Sequence, residues 1–276
     1  MQAKKSLGQN FLRSKAALDA IVDASDPAPD DIVLEIGPGE GVLTAELLKF
    51  AGKVIAVEKD RRLIPILEEK FSEDIKEGKL DVIEKDILDF DPKILRFYDH
   101  PYKVSANIPY YITGQVIRKF LEAENQPESM TLLLQKEVAE RIVAKDGKES
   151  LLSISVKAFG TPKYIKTVPR GAFHPMPKVD SAIIFIGSIS RDKFKTPPPT
   201  PLPKGEEAGG RAVIFQSKKL EKKFFEILKK GFGHKRKFLI KNLGVSKAVF
   251  DTCKIPEKAR AEDLKVEDWI RLARSL

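Results

Sequence analysis

The tetrapeptide Asn107-Ile108-Pro109-Tyr110 brings together groups that could act on an aromatic amine. The exocyclic amine of adenine is a poor nucleophile, because its lone pair is delocalised into the ring. Two acceptors, the Asn107 side-chain oxygen and the Pro109 carbonyl, could bind its two hydrogens and favour the pyramidal, nucleophilic form. Tyr110 could stack on the base. An Asn-Pro turn with a packed tyrosine explains these four residues equally well when they are taken alone.

A glycine-rich turn follows the apolar run at 32–36. Gly37, Gly39 and Gly41 would let the backbone approach a ligand closely and leave the next helix N-terminus free to serve it. A tight turn between strand and helix with no ligand has the same pattern. Dinucleotide binding requires a third small residue at position 42, where this chain has Val42. The spacing therefore argues against a dinucleotide cofactor.

An acidic residue follows each of the next two predicted strands. Glu58 directly follows the run VIAV and lies twenty-one residues after Gly37. A carboxylate there can accept hydrogen bonds from both hydroxyls of a ribose. Asp86 follows the third strand, where an acid can receive the amino group of an adenine. Either residue alone could be a solvated carboxylate. Their recurrence at successive strand ends favours a ligand site, because such sheets bind ligands there.

A proline-stiffened loop runs from Phe173 to Val179. Stiffening would pre-position Phe173 at low entropic cost, so that it could form the other side of a base sandwich. A buried phenylalanine in a rigid loop is the alternative. His174 has no accompanying Ser or Cys nucleophile motif, and we expect it to be an incidental loop residue.

Short apolar runs alternate with stretches of helical spacing, which predicts an α/β fold with a parallel sheet and crossover helices. Three later runs have no obvious helix between them and predict strands at an antiparallel edge, with a turn at 160–162. The parallel strands are expected at 32–36, 54–57, 81–83, 103–105 and 131–134, and the later ones at 153–159, 164–168 and 179–186.

Length and composition indicate a globular protein with one large and one small domain. The chain has 276 residues, 42% hydrophobic and 32% charged, which excludes overall disorder. Its one cysteine excludes a disulfide scaffold, and no Cys or His spacing suits zinc, so no metal is expected. The beginning of the sequence lacks the apolar stretch of a secretory signal, and no run is long enough to span a membrane. We expect a cytoplasmic enzyme or RNA-binding protein.

Most of the formal charge of +9 lies in one segment, 216–241, which has nine lysines and one arginine against two glutamates. Such a field favours a polyanion such as nucleic acid, or an anionic membrane surface, although an ordinary solvated helix can also be lysine-rich. Before it, 196–210 holds five prolines and three glycines, and is expected to be a surface loop or linker. Beyond this proline-rich stretch, the apolar spacing predicts a helix, a break at Gly231 and Gly233, and another helix.

These features together resemble the ribosomal RNA adenine dimethyltransferase family, the KsgA type, over nearly the whole chain. Any one matching segment could mislead, but five in the family's order are specific. They are KKSLGQNFL at 4–12, the glycine motif, NIPY at 107–110, LQKEVAERIV at 134–143 and FHPMPKVDSA at 173–182.

The resemblance implies a class I, Rossmann-like methyltransferase domain at 1–187, a linker or insertion at 188–215, and a small all-helical domain at 216–276. It implies S-adenosylmethionine as the cofactor. It also implies dimethylation of the N6 amines of two adjacent adenines in the 3′-terminal hairpin of 16S rRNA, in the small ribosomal subunit precursor. The expected enzyme is a cytoplasmic monomer with no membrane partner.

Site residues are carried over from the same resemblance. Those expected to receive the target adenine are Asn107, Pro109, Tyr110 and Phe173. Those expected to bind the cofactor are Gln9, Asn10, Leu12, Gly37, Gly39, Glu58, Lys59, Asp86, Ile87 and Asn107.

The chain departs from the family pattern at three places: Tyr111 replaces a usual Asn, Glu149-Ser150-Leu151 replaces a usual Tyr-Gly pair, and 196–210 has the character of an insertion. Two rivals remain open. One is the related 23S rRNA methyltransferase of the macrolide-resistance type, and the other is a non-catalytic rRNA-binding assembly or transcription factor on the same fold. A nicotinamide dehydrogenase is disfavoured by Val42.

Overall fold

The computed structural model describes Lys4 and residues 7–97, 101–195, 210–234 and 236–276. The chain divides into two compact units. The first contains Met1–Val143 and Gly160–Ile189, and the second contains Ala144–Phe159 and Ser190–Leu276. The second unit therefore includes residues 144–159, which the sequence placed in the methyltransferase domain. Most of the proline-rich segment, 196–209, lies outside the described residues.

The first unit is built on a seven-stranded sheet in the order β4-β3-β2-β5-β6-β9-β7. Strands β2 to β6 are parallel, and β9 runs antiparallel to both β6 and β7. This confirms the predicted mixed sheet. The strands are β1 (Phe11–Leu12), β2 (Ile32–Ile36), β3 (Lys53–Glu58), β4 (Leu80–Glu84), β5 (Tyr102–Asn107), β6 (Ser129–Gln135), β7 (Thr161–Val168), β8 (Phe173–His174) and β9 (Ser181–Gly187).

Helices connect the parallel strands of this unit, as crossover connections require. Strand β2 is buried along its whole length, which explains why four of its five residues are apolar; Glu35 is the exception. Ile21 of the first helix and Val33 of β2 belong to one buried core with Leu47 of the second helix. The helices are α1 (Lys15–Ser25), α2 (Val42–Leu47), α3 (Ile64–Lys70), α4 (Ser72–Lys76), α5 (Thr113–Glu122) and α6 (Lys136–Val143).

A separate two-stranded ribbon joins the beginning of the chain to the proline-stiffened loop. Strand β1 pairs antiparallel with β8, so that Leu12 lies opposite Phe173. The backbone N–H of Arg13 extends the pairing by donating to the carbonyl of Ala172 over 2.8 Å. The ribbon therefore fixes the segment before α1 to the loop that precedes β9.

The second unit is helical, and one of its helices corrects a prediction. Residues 153–159, predicted as a strand, lie largely in α7 (Leu151–Lys157). The alternation of SISVKAF has the period of a strand, but Ser150 caps the helix by accepting from the Ser153 N–H over 3.1 Å. The Ser153 hydroxyl oxygen in turn accepts from the Ser150 N–H over 2.7 Å. This reciprocal capping box and the burial of Ile154 outweigh the strand propensity of the segment.

The remaining helices of this unit are α8 (Gly210–Gly231), α9 (Leu239–Leu243), α10 (Lys247–Thr252) and α11 (Val266–Ser275). Helix α8 begins at Gly210, ahead of the expected start of the helical domain at 216, and ends at Gly231, where the glycine spacing predicted a break. A Cβ atom at Gly231 would lie 2.3 Å from the Trp269 ring, so this close approach needs glycine. Four aromatic rings pack together in this unit, and the centroids of neighbouring rings lie 5.1 to 5.8 Å apart. The rings belong to Phe159, Phe194, Phe224 and Phe225.

Within the described residues, no helix combines the length and the apolar composition needed to cross a bilayer. The same part of the chain contains no group of three or more His, Cys, Asp or Glu side chains placed to hold a metal ion.

We predict that Ser150→Ala will lower the free energy of unfolding by about 1 kcal/mol, because it removes the acceptor at the N-terminus of α7. Chemical denaturation measures the loss. Ser155→Ala is the matched control, since the Ser155 hydroxyl donates to the Leu151 carbonyl within the helix and caps nothing. Equal stability of Ser150→Ala and the wild type would show that the cap does not hold this segment helical.

Candidate functional site

The carboxyl ends of four neighbouring parallel strands converge on one crevice of the first unit. The register pairs Ile36, the last residue of β2, with Val57 on one side and Ala106 on the other. The glycine turn therefore begins beside Glu58 and Asn107. With Asp86, which follows β4, these residues line a crevice with about 1090 Å³ of atom-free space, the open solvent at its mouth included. The sequence predicted this convergence from the topology of a parallel sheet.

The glycine turn presents backbone where other residues would present side chains. Gly37 and Gly39 both have left-handed backbone, with φ of +66° and +60°. A Cβ atom on Gly39 would lie 3.1 Å from the Phe11 ring, whereas one on Gly37 would meet nothing within 4 Å. The turn therefore leaves open space above Gly37, and a ligand could lie there against the backbone.

Glu58 is held in place by the chain and keeps capacity for a ligand. Its Oε2 accepts from the Gly39 N–H over 3.1 Å, and its Oε1 accepts from the Asp60 N–H over 2.7 Å. Burial raises the pKa of this carboxyl, and the backbone donors oppose the shift. Each oxygen has a second lone pair. The carboxylate could thus accept one hydrogen bond on each oxygen from a pair of neighbouring hydroxyls.

Asp86 is similarly anchored. Its Oδ1 accepts from the Leu88 N–H over 2.9 Å, and its Oδ2 accepts from the Lys59 ammonium over 2.6 Å. Burial acts to raise the pKa of Asp86, but the hydrogen bond from Lys59 and the Leu88 N–H outweigh it and lower that pKa. An ionised Asp86 can still accept from an exocyclic amine. The predicted Lys59 and Ile87 also line the crevice, and Ile87 is buried.

Asn107 at the end of β5 has its amide orientation set by a distant segment. Its Nδ2 donates to the Asn10 carbonyl over 3.1 Å, which leaves Oδ1 as the acceptor of the group. The Pro109 carbonyl accepts one bond, from the Ile112 N–H over 3.1 Å, and keeps a second lone pair. The Tyr110 hydroxyl lies 2.7 Å from the Ser181 hydroxyl. The turn thus offers two acceptors beside an aromatic ring that is tethered at its far end.

Residues 7–12 form a strap along the crevice, and all six of them line it. Gln9 is engaged by the chain at both ends of its amide. Its Oε1 accepts from the Lys4 N–H over 2.7 Å, and its Nε2 donates to Asp60 Oδ2 over 2.9 Å. The Asn10 amide donates to the Gly8 carbonyl over 3.2 Å, and Leu12 is buried. The predicted cofactor residues of the strap are therefore at the crevice.

Phe173 lies elsewhere. Its side chain is only 5% exposed and packs in the core cluster that contains Leu12, Leu133 and Ile183. Among the described residues, those lining the crevice do not include it. Its predicted stacking on a target base stays a prediction and would require the ring to become accessible.

Comparison with known proteins decides the family. A family profile described as "Ribosomal RNA adenine dimethylase" matches residues 1–196. A protein named Ribosomal RNA small subunit methyltransferase A from Dehalococcoides mccartyi (strain CBDB1) is 43% identical, covering 99% of this chain and 88% of that protein. A protein of the same name from Fusobacterium nucleatum is 37% identical, covering 98% of this chain and 96% of that protein. The chain belongs to the ribosomal RNA adenine dimethylase family.

Two solved structures share the fold of this adenine dimethylase family member. The 23S rRNA methyltransferase ErmE has a TM-score of 0.71 at 27% identity, covering 97% of this chain and 99% of that chain. A dimethyladenosine transferase from Plasmodium falciparum has a TM-score of 0.71 at 26% identity, covering 95% of each chain. The predicted Rossmann-like methyltransferase fold with a helical C-terminal region is confirmed.

S-adenosylmethionine is the methyl donor of this family, and the crevice is suited to it. The backbone cradle at Gly37 and the free acceptor capacity of Glu58 and Asp86 are what a ribose and an adenine require. The residues predicted to bind the methyl donor, which lie after β2, at the end of β3 and after β4, therefore form one candidate cofactor site. Their individual contacts stay predictions.

Sequence reasoning assigned no role to two buried acids of this adenine dimethylase: Glu35, which lines the crevice, and Asp60, in the turn that follows Glu58. Glu35, two residues before the glycine turn, is 1% exposed and accepts from the Thr44 hydroxyl over 2.6 Å. Its position between apolar neighbours in a buried strand was the available signal. Asp60 contacts Gln9 across fifty-one positions of sequence, and no local pattern indicates such a contact.

Glu35 should make stability depend on pH. Burial raises its pKa to about 8 from an ordinary 4.5, although Thr44 opposes the shift. Since the folded state holds the proton more tightly, the stabilising contribution is complete below about pH 4.5 and is lost as pH rises through about 8. The free energy of unfolding should fall, relative to Glu35→Gln, by up to about 1.4 kcal/mol per pH unit in that window.

Chemical denaturation of the wild type and Glu35→Gln between pH 5 and pH 9 checks this. Glu73→Gln, at a carboxylate whose side chain is 78% exposed, is the control and should run parallel to the wild type. A constant difference between wild type and Glu35→Gln across the range would mean that Glu35 is already ionised in the folded protein.

Proposed function

We propose that this protein transfers methyl groups from S-adenosylmethionine to the N6 amines of two adjacent adenines in the 3′-terminal hairpin of 16S rRNA. Its substrate would be the small ribosomal subunit precursor, and it would act as a cytoplasmic monomer. One observation carries the proposal: the glycine turn at Gly37 and the acceptors of Asn107 and Pro109 line the same crevice. A nucleoside cofactor and an adenine amine would meet there.

The protein's part in the chemistry is to polarise and align the amine. The Asn107 Oδ1 and the second lone pair of the Pro109 carbonyl can accept the two N6 hydrogens. Acceptance of both hydrogens directs the nitrogen lone pair out of the ring plane, because it favours the pyramidal form. When bound, the cofactor supplies an electrophilic methyl group on a sulfonium. Placed dipoles therefore assist the displacement without prior deprotonation.

The target base must leave its stack to reach the crevice. While it is stacked inside an RNA helix, its amine cannot enter a crevice in the protein. Tyr110 offers a ring for such a base, and its tether to Ser181 limits the freedom of that ring. A ring fixed in advance loses less entropy when a base stacks on it.

The basic segment 216–241 would hold the RNA backbone. In the second unit its cationic side chains are largely exposed, as phosphate contacts require. The exposed ones within the described residues are Lys218, Lys219, Lys222, Lys229, Lys230, Arg236, Lys237 and Lys241.

The large-subunit alternative is weaker, although the fold alone does not separate the two. The TM-score with ErmE equals that with the Plasmodium dimethyladenosine transferase. Sequence identity is 43% with a protein named for the small subunit and 27% with ErmE. A non-catalytic assembly factor would not need Glu58, Asp86, Asn107 and Tyr110 together.

Incubation of the purified protein with labelled S-adenosylmethionine and, in parallel, unmethylated small and large subunits, followed by mapping of modified positions, tests the proposal. Two adjacent dimethylated adenines near the 3′ end of 16S rRNA are expected. Label confined to large subunits would favour the macrolide-resistance type. Expression in a strain lacking its own dimethyltransferase gives a second readout: restored kasugamycin sensitivity supports the proposal, and erythromycin resistance contradicts it.

We predict that Asn107→Ala will reduce methyl transfer by at least 100-fold while changing cofactor affinity only a few-fold, because the lost acceptor acts on the amine. Single-turnover rates and calorimetric titration measure the two effects. Asn125→Ala is the matched control: the Asn125 amide also donates to a carbonyl, that of Pro92 over 3.2 Å, and does not line the crevice. Equal losses of transfer and cofactor affinity in Asn107→Ala would place the residue on the cofactor side.

If the basic segment holds phosphates, RNA affinity should fall steeply with salt. Neutralising Lys237 and Lys241 together should flatten the plot of log affinity against log salt by about 0.7 to 0.9 per lost phosphate contact. Filter binding at several salt concentrations measures the slope. Lys76→Ala in the first unit, at a lysine that pairs with Glu73, is the control. A wild-type RNA affinity that does not change with salt concentration would show that the basic segment does not contact RNA phosphates.

A further inference from the structure

The turn after β3 holds a buried carboxylate that the methyl-transfer chemistry does not use. Asp60 is 2% exposed. Arg62 grips it with two donors, Nε to Oδ1 over 2.9 Å and Nη2 to Oδ2 over 2.6 Å. The Gln9 Nε2 donates to Oδ2 over 2.9 Å. These hydrogen bonds, of which those from the Arg62 guanidinium have the largest effect, hold the pKa of Asp60 well below its usual range. Asp60 is therefore an ionised acceptor with a fixed orientation.

The contact with Gln9 joins the turn to the strap at 7–12. Gln9 cannot readily turn its amide, because its Oε1 already accepts from the Lys4 N–H. The Lys4 ammonium also lies 3.8 Å from Asp60 Oδ1. Charge-assisted hydrogen bonds of this kind are about twice as strong as neutral ones. Asp60 thus supplies the strap with a strong side-chain anchor beside the crevice.

The backbone of the same residue serves a second part of the crevice. The Asp60 N–H donates to Glu58 Oε1 over 2.7 Å. Glu58 is the candidate ribose acceptor, and the strap lines the same crevice. The side chain and the backbone of Asp60 therefore act on two different parts of the site, and a side-chain substitution can remove one role while keeping the other.

We propose that Asp60 is a positioning residue whose carboxylate, through Gln9, keeps the strap closed over the crevice and slows the release of bound S-adenosylmethionine. The proposal rests on the crevice being the cofactor site. Ordering six residues costs conformational entropy, so a closed strap needs compensating contacts. Among the side-chain hydrogen bonds described for the strap, the one to Asp60 is made to a buried charge. Substitution of Asp60 should open the strap without removing any group expected to touch the cofactor, because Gln9 itself is retained.

Hydrogen exchange of the cofactor-free protein tests the strap directly. The Arg13 amide, which donates to the Ala172 carbonyl, reports whether the end of the strap is paired. In Asp60→Ala its exchange should accelerate about 10-fold. The dissociation constant for S-adenosylmethionine should rise about 10-fold by calorimetry, mainly through faster dissociation in stopped flow. The pairing of the Asp60 N–H with Glu58 should persist.

Gln9→Ala tests whether Asp60 acts through the strap, and it remains informative if Asp60→Ala folds poorly. It should reproduce the faster exchange while leaving the Asp60–Arg62 pair intact. The double variant should exchange no faster than either single variant, because both remove one interaction. Additive effects, or unchanged strap exchange in Gln9→Ala, would overturn the proposal and leave Asp60 a structural partner of Arg62.

Asp31→Ala is the matched control. Asp31 also pairs with a cation, Lys103 over 2.7 Å, but it precedes β2 and so lies at the opposite end of the strands from the crevice. It should leave strap exchange and cofactor affinity unchanged, and a similar loss there would reduce the Asp60 effect to general destabilisation. If the wild type itself does not bind S-adenosylmethionine, the proposed function fails first, and strap exchange in the cofactor-free variants still decides the role of Asp60.

Discussion

The parallel pairing of β2 with β3 and β5 is the constraint on which the site depends. Parallel strands end at the same edge of a sheet, and the register sets the last residue of β2 between Val57 and Ala106. The next residues of the three strands are then Gly37, Glu58 and Asn107, so a turn that exposes backbone, a carboxylate and an amide become neighbours. A slip of one residue in either pairing would turn these groups to the other face of the sheet. Strand β2 is buried along its length, which makes such a slip costly.

Each polar group at this edge of the sheet uses part of its hydrogen-bonding capacity within the protein. Glu58 and Asp86 accept one hydrogen bond on each oxygen from the chain, and the Asn107 side-chain nitrogen donates to the Asn10 carbonyl. The chain thereby orients each group and leaves the other half of its hydrogen-bonding capacity for a ligand. A buried polar group with no partner would be costly, and a fully satisfied one would have nothing to offer. Division of the capacity between chain and ligand answers both requirements.

Sequence patterns predicted the groups that follow from local structure and strand order. Glu58 and Asp86 could be placed because successive strand ends meet in a parallel sheet. The helix at Leu151–Lys157 could not, because its alternating sequence has the period of a strand and a serine pair decides the conformation. The bond between Gln9 and Asp60 was invisible for another reason: it joins positions fifty-one residues apart that only the folded chain brings together. Phe173 shows a third case, in which a pattern gives the loop but not whether its ring is buried.

The strap connects the two sides of the proposed reaction. On the cofactor side it is held by Asp60, and on the adenine side its Asn10 carbonyl orients Asn107, the group proposed to accept the amine. Its last residue, Leu12, pairs with Phe173 in the ribbon of β1 and β8. A displacement of the strap would therefore disturb the Asn107 amide and the support of Phe173 together. Phe173 and Leu12 also belong to the same buried cluster, so a base that stacked on the Phe173 ring would have to displace part of that packing. If Phe173 receives the base, access to its ring and the proposed closure of the strap would both involve the Leu12–Phe173 pair.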